Sequence, residues 1–187
     1  MVISPQNDCT WTYHDGRLSI NLTTDEGKSY LFKTRYNVED LFVRPDSNSQ
    51  FCIEDANLLT DYQDGLYEIL KNESFALDLG LNAVACEKFT RPAAPTSRYF
   101  LALDHPAVEF ARGDVVIVYS KAGSAGYCLV LEERDADGMV RLMLLSEELV
   151  LDREQNRGYQ IGMMIRVCPE CIGDIYSGEN DRHVRYA

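Results

Sequence analysis

Cys168-Pro169-Glu170-Cys171 is the one spacing in this chain that by itself names a chemistry. A thiol pair with two residues between can share a metal ion or cycle between dithiol and disulfide. A closed zinc site needs four ligands, usually from a second such pair, and the sequence offers neither a second cysteine pair nor paired histidines. A redox dithiol wants its first cysteine at the start of a helix, whose dipole favours the thiolate, whereas this motif follows a strand-like run with no helical pattern behind it. Ordinary reduced cysteines in a turn are the simpler reading, and a small redox or metal-binding protein is the alternative kept beside it. The remaining cysteines, Cys9, Cys52, Cys86 and Cys128, are scattered, and without an export signal all are expected to stay reduced.

The other chemical candidates fall away one by one. His14, His105 and His183 are isolated, with neither the spacing of a metal pair nor a nucleophile beside a base. Gly123-Ser124-Ala125-Gly126 is too short for a phosphate cradle and lacks the lysine that would follow one, so it reads as a hairpin turn. Asp135 and Asp137 belong to a turn, and the acidic residues nowhere take calcium-loop spacing. The expectation is a protein that is not an enzyme and carries no cofactor or metal. A ligand sensor is a third possibility, although no polar cluster names a ligand.

Charge leaves one feature standing. The formal net charge is −12, which speaks against capture of nucleic acid or an anionic membrane surface, both of which need a concentrated basic face. Against that background Lys88, Arg91 and Arg98 gather around a proline-punctuated stretch, Arg91-Pro92-Ala93-Ala94-Pro95. They read either as helix-end charges on a solvated linker or as a docking point for an acidic protein partner. The N-terminus lacks the basic start and apolar core of a signal peptide, so a cytoplasmic location is expected. The longest strongly apolar run, residues 115–119, falls far short of the roughly 20 residues of a membrane helix.

The elements that must position these residues follow from periodicity. Trp11 and Tyr13, then Leu18, Ile20 and Leu22, then Tyr30 and Phe32 alternate with polar residues, which predicts three strands joined by turns at His14-Asp15-Gly16 and around Gly27. Residues 38–43 form a short amphipathic piece before a surface loop. Leu58, Leu59, Tyr62, Leu66, Ile69 and Leu70 recur at helical steps, with Gly65 placed to weaken or divide that helix. A second helix over about 74–89 carries Leu77, Leu81, Val84, Ala85 and Phe89 on one face, and the prolines stop it. Beyond it, strands are predicted over 99–103, 114–120, 127–132, 139–145, 148–152 and 162–167, with Asn156-Arg157-Gly158 as a turn; this is the pattern of a small curled sheet or barrel. The chain thus divides into domains at residues 1–92 and 93–187.

The order and spacing of several motifs resemble the cell division protein ZapC family. They are Trp11-Thr12-Tyr13 before an acidic turn, Tyr30-Leu31-Phe32-Lys33-Thr34-Arg35, Phe51-Cys52-Ile53-Glu54-Asp55-Ala56, Leu81-Asn82-Ala83-Val84-Ala85, and the Pro-x-x-Pro joint ending in Phe100. The resemblance spans roughly residues 9–170 and is densest in the N-terminal half. It implies an α+β protein, with an N-terminal α/β domain of a small antiparallel sheet backed by helices and a C-terminal twisted β-barrel-like domain. It also implies a cytoplasmic protein of the midcell division ring that binds FtsZ polymers, promotes lateral bundling and stabilisation of protofilaments, and lowers FtsZ GTPase turnover. Ile20 and Arg91 match positions implicated in the FtsZ contact; Lys88 and Arg98 join them by the charge argument, Arg98 replacing a larger family residue. FtsZ filaments are acidic, so an acidic bundler must grip two of them at specific contacts. It does so through two surfaces on one molecule or through a dimer, and we favour a monomer with two FtsZ-contact surfaces.

Overall fold

The computed structural model describes residues 9–23, 27–92, 97–107 and 109–176. Strands β1 (Thr10–His14) and β2 (Arg17–Thr23) form a hairpin whose two linking residues, Asp15 and Gly16, both take positive φ (49° and 76°). That backbone follows the right-handed twist of the flanking strands, so an Asp-Gly pair is favoured there. β3 (Ser29–Asn37) and the short β4 (Ser49–Gln50) complete an antiparallel sheet in the order β3-β2-β1-β4. The amphipathic piece contributes a 3-10 turn, Val38–Asp40.

Helix α1 (Ile53–Leu70) is continuous through Gly65 rather than divided there. The reason is tertiary: a Cβ on Gly65 would lie 2.0 Å from the carbonyl oxygen of Gly113, so backbone touches backbone. Gly113 has φ +88°, and a Cβ there would lie 2.5 Å from the Asp61 carbonyl oxygen. Helix α2 (Glu73–Phe89) starts at Asn72, whose side chain accepts from the Phe75 amide at 3.1 Å. From Leu79 to Cys86 every residue is buried, so this part of α2 is covered on all sides and not along one stripe, Asn82 being its one polar side chain. Gly80 admits the Leu59 side chain, whose Cδ1 would lie 3.0 Å from an added Cβ.

After α2 the strands β5 (Val115–Tyr119), β6 (Ala125–Glu132), β7 (Val140–Leu144), β8 (Glu148–Asp152), β9 (Arg157–Gln160), β10 (Met164–Val167) and β11 (Ile172–Ile175) follow. Five of them form an antiparallel sheet in the order β10-β7-β6-β5-β11, while β8 and β9 pair as a separate hairpin. The class is α+β, and the second sheet remains open instead of closing into a barrel. Its two faces are sorted by period two. Val115, Leu129, Leu131, Met143 and Met164 join the core around α2 and the first sheet. Val116, Cys128, Val130, Leu142, Leu144 and Ile165 face a second core shared with Leu149, Leu151 and Tyr159 of the hairpin. A sheet covered on both faces needs continuous apolar strands, which is the pattern Val115-Val116-Ile117-Val118 carries.

Two strand expectations are corrected. Residues 97–99 make a 3-10 turn, and Phe100 joins the sheet through a single bridge to Ser120. β11 already occupies the outer edge of β5 along most of its length, so residues 99–103 reach only its end. Arg157 and Gly158 belong to β9 and not to a turn. β4 and β11 carry no pattern of their own beyond a few residues. No helix among the described residues is long and apolar enough to cross a membrane.

Candidate functional site

The end of α2 gathers two of the three cations that the sequence singled out, Lys88 and Arg91, and each meets a different neighbour. Asp55, in the first turn of α1, is 0% exposed. Its Oδ2 accepts from Trp11 Nε1 at 2.9 Å and from the Cys52 amide at 3.2 Å, and its Oδ1 meets the Lys88 ammonium. Lys88 keeps 31% of its side chain in water. Burial draws its pKa down, but the hydrogen bond and charge of Asp55 outweigh that, and the net shift is upward. Lys88 is therefore the counter-ion of a buried carboxylate that ties β1, α1 and α2 together.

Arg91 is the exposed cation of the group. Thr90 ends the helix, its hydroxyl donating to the Cys86 carbonyl at 2.7 Å, and Arg91 then lies with its guanidinium carbon 4.7 Å from the centre of the Phe42 ring. Phe42 is 62% exposed, and it is held there because the Phe42 and Val43 amides both donate to the Phe89 carbonyl, at 2.7 and 3.1 Å. An exposed ring beneath a guanidinium is a ready anchor for a protein surface that offers both apolar area and a carboxylate.

Arg91 also stands at the mouth of a groove of about 600 Å³ between the first sheet and the β9–β10 turn. Arg35, Tyr36 and Asp40 form one wall, and Ile161, Gly162 and Met163 the other. The Tyr36 hydroxyl donates to the Gly162 carbonyl at 2.7 Å, and Cys86 Sγ reaches the same oxygen at 3.6 Å. Burial, with the nearby Cys86, pushes the Tyr36 pKa well up, so the phenol keeps the proton it donates. Gly162 has φ +84°, and a Cβ there would lie 3.3 Å from Arg35 Cδ.

Arg98 stands apart from this group. Its guanidinium carbon lies 4.8 Å from the Tyr99 ring centre and its Nη2 donates to the Tyr99 hydroxyl at 2.9 Å, where Arg157 Nη1 also donates at 3.2 Å. These donors favour the phenolate, so the Tyr99 pKa falls. Ile20 is 0% exposed on β2, opposite Trp11 of β1, so it shapes the sheet from within and offers no side-chain surface. The structure thus brings Lys88 and Arg91 to one helix end, sets Arg98 beside Arg157, and buries Ile20. Phe42, Arg35, Arg157 and Met163 were missed from sequence; only Leu41-Phe42-Val43, an apolar run ahead of Arg44-Pro45, carried a signal.

The cysteine motif lies elsewhere. Pro169–Cys171 forms a 3-10 turn between β10 and β11. Cys171 is buried and its pKa is raised, by burial first and by Cys168 and Glu170 next, which keeps it a thiol. Cys168 Sγ lies 3.7 Å from Met139 Sδ. Among the described residues no three His, Cys, Asp or Glu side chains are grouped to hold a metal ion. His14 Nδ1 is 2.8 Å from its neighbour Asp15, His105 is exposed, and His183 lies outside the described residues.

Comparison with known proteins gives one consistent result. The family profile described as "Cell-division protein ZapC, N-terminal" matches residues 2–91. A "Cell division protein ZapC" of Aeromonas hydrophila is 29% identical over 153 residues, covering 81% of this chain and 82% of the relative. That of Musicola paradisiaca is 24% identical over 163 residues, covering 87% and 88%. That of Tolumonas auensis is 24% identical over 156 residues, covering 75% and 86%.

Proposed function

This chain belongs to the ZapC family of cell division proteins, and from that premise we propose that it is a binding protein of the midcell division ring, working in the cytoplasm without chemistry of its own. Its partner is polymerised FtsZ. It bundles and stabilises protofilaments and lowers their GTPase turnover by holding neighbouring filaments together.

The observation that carries this reading is the exposed Arg91–Phe42 pair at the mouth of the joint groove. The chain as a whole is acidic, so approach to an acidic filament needs a local cationic contact, and complementary charge orients such an encounter. Arg91 supplies the charge and Phe42 the apolar area. Arg98 and Arg157 supply a separate cationic surface beside the β8–β9 hairpin, Lys88 holds the helix end that carries Arg91, and Ile20 sets the shape of the strand beneath. Bundling needs two grips, on one molecule or through a dimer, and on the favoured monomer reading residues 1–92 carry one, at Arg91, and residues 93–187 the other, at Arg98 and Arg157.

Co-sedimentation of the full chain with FtsZ, with and without GTP, tests the reading. The chain is expected to pellet only with assembled FtsZ and to lower GTP hydrolysis. Arg91→Glu and Phe42→Ser, each with unchanged thermal unfolding, are expected to weaken pelleting at least about tenfold, roughly 1.4 kcal/mol. Pelleting by both variants at the parent level removes this joint from the contact. A chain that ignores assembled FtsZ altogether removes the function.

A further inference from the structure

A second groove, sharing no residue with the first, lies on the other side of the β5–β6–β7 sheet from α2. Its volume is about 650 Å³. Pro106, Phe110 and Pro169 give it apolar walls, and Glu109, Glu133 and Glu170 stand along it. Asp114 adds a fourth carboxylate, and among the described residues Arg134 is the single lining cation, which leaves the lining net negative.

The walls are set before anything binds. The Leu103 amide donates to the Glu170 carbonyl at 2.9 Å and the Ala107 amide to the Ile172 carbonyl at 3.0 Å, which pins the segment beside β11. The Ala111 amide donates to Asp114 at 2.7 Å, and the Arg112 amide to Glu133 at 2.8 Å. Ala107 and Phe110 rest on the second core. A groove already shaped spends little free energy on ordering when it is filled.

We propose that this groove docks an arginine-bearing, otherwise apolar segment of a partner protein. The carboxylates come from three separate stretches of chain and no three are grouped as a metal site among the described residues. Spaced carboxylates are matched by spaced guanidiniums, which pair with two oxygens at once and also stack on a ring such as Phe110. The proline and aromatic walls take the apolar part of the segment. This surface is opposite in sign to the Arg91 joint, so one molecule holds two docking faces that do not compete for one ligand. The inference stands independently of FtsZ binding.

The test uses the full chain and a fluorescein-labelled peptide, Gly-Arg-Phe-Pro-Arg-Leu-Gly, read by anisotropy at moderate salt. The expected Kd is on the order of 100 µM. Glutamate in place of both arginines is expected to abolish binding, and serine in place of the phenylalanine to weaken it about tenfold. Glu109→Arg and Glu170→Arg are each expected to weaken binding about tenfold. Glu154→Arg, the same charge change in the turn between β8 and β9, is expected to leave it within about twofold. An equal loss from Glu154→Arg, undiminished binding of the glutamate peptide, or no binding by the parent chain overturns the proposal. Unfolding curves that match the parent confirm that the two groove variants are folded; among the described residues neither the Glu109 nor the Glu170 carboxylate takes part in the hydrogen bonds that fix the groove's walls.

Discussion

Replacing Lys88 by methionine should unsettle the protein far more than its partly exposed position implies. Asp55 is completely buried, and its two neutral donors, Trp11 Nε1 and the Cys52 amide, share one oxygen, so Lys88 is the charge that balances the other. Breaking a fully buried ion pair costs about 3–5 kcal/mol, because the surviving charge is left unpaired. Lys88 retains some contact with water, so the cost should be smaller, about 2–3 kcal/mol. For a chain of this size that lowers Tm by roughly 5–10 °C. Asp55→Asn in the Lys88→Met background removes the stranded charge while an amide oxygen still accepts from Trp11 and Cys52, so the double variant should regain more than about 1 kcal/mol. Denaturant unfolding of the four proteins at pH 7 measures the cycle. A Lys88→Met cost under about 0.5 kcal/mol, or a double variant no more stable than Lys88→Met, refutes the assignment of Lys88 as a buried counter-ion. The pH dependence gives a second check. The folded-state pKa of Lys88 is raised above its ordinary 10.5, so its contribution is fully present below that value and fades as pH climbs through the raised one. That alkaline loss should be absent from Lys88→Met.

Three further outcomes follow from the packing. Gly65→Ala gains about 1 kcal/mol of helix propensity but drives a Cβ into the Gly113 carbonyl, so a net loss of about 2 kcal/mol or more is expected, read as a lower Tm by circular dichroism. The Arg166 hydrogen bond, with the Met139 and Asp137 amides, holds the Asp135 pKa down to about 2 from 3.8. Its contribution is full above the ordinary value and is lost as pH falls through the folded one, so Asp135→Asn should cost about 1–2 kcal/mol at pH 7 and flatten the acid limb between those values. Tyr36→Phe removes the hydroxyl that donates to the Gly162 carbonyl and should cost about 1 kcal/mol by denaturant unfolding, with no change in secondary structure.

What the sequence made legible was local. The three N-terminal strands, both helices and the strands from β5 to β8 announce themselves through period two or period three-to-four, and Asp15-Gly16 through its turn chemistry. What stayed hidden depends on distant neighbours. Whether residues 99–103 pair is decided by β11 having taken the edge of β5, about 70 positions further along the chain, and Ile172–Ile175 is too short to show a period. Gly65 reads as a helix breaker until Gly113 is placed against it. The cationic joint could be seen as a cluster of charges, but the cluster divides by partners that no spacing reveals: Lys88 turns inward to Asp55, Arg91 outward over Phe42. Ile20 was legible as a strand residue, while its burial beneath the helices was a matter of which face of β2 they cover.

Gly65 and Gly113 meet as bare main chain, and around that seam one oily interior runs without interruption from the first sheet, past α2, into the strands that follow. Side chains can swap rotamers to let two bodies slide; backbone pressed on backbone cannot. The first sheet and the later strands are therefore locked together around α2, with little freedom to slide. On the function proposed above, filaments held by its two cationic surfaces would be kept one fixed distance apart, so the spacing within a bundle would be written into a pair of residues that carry no side chain at all.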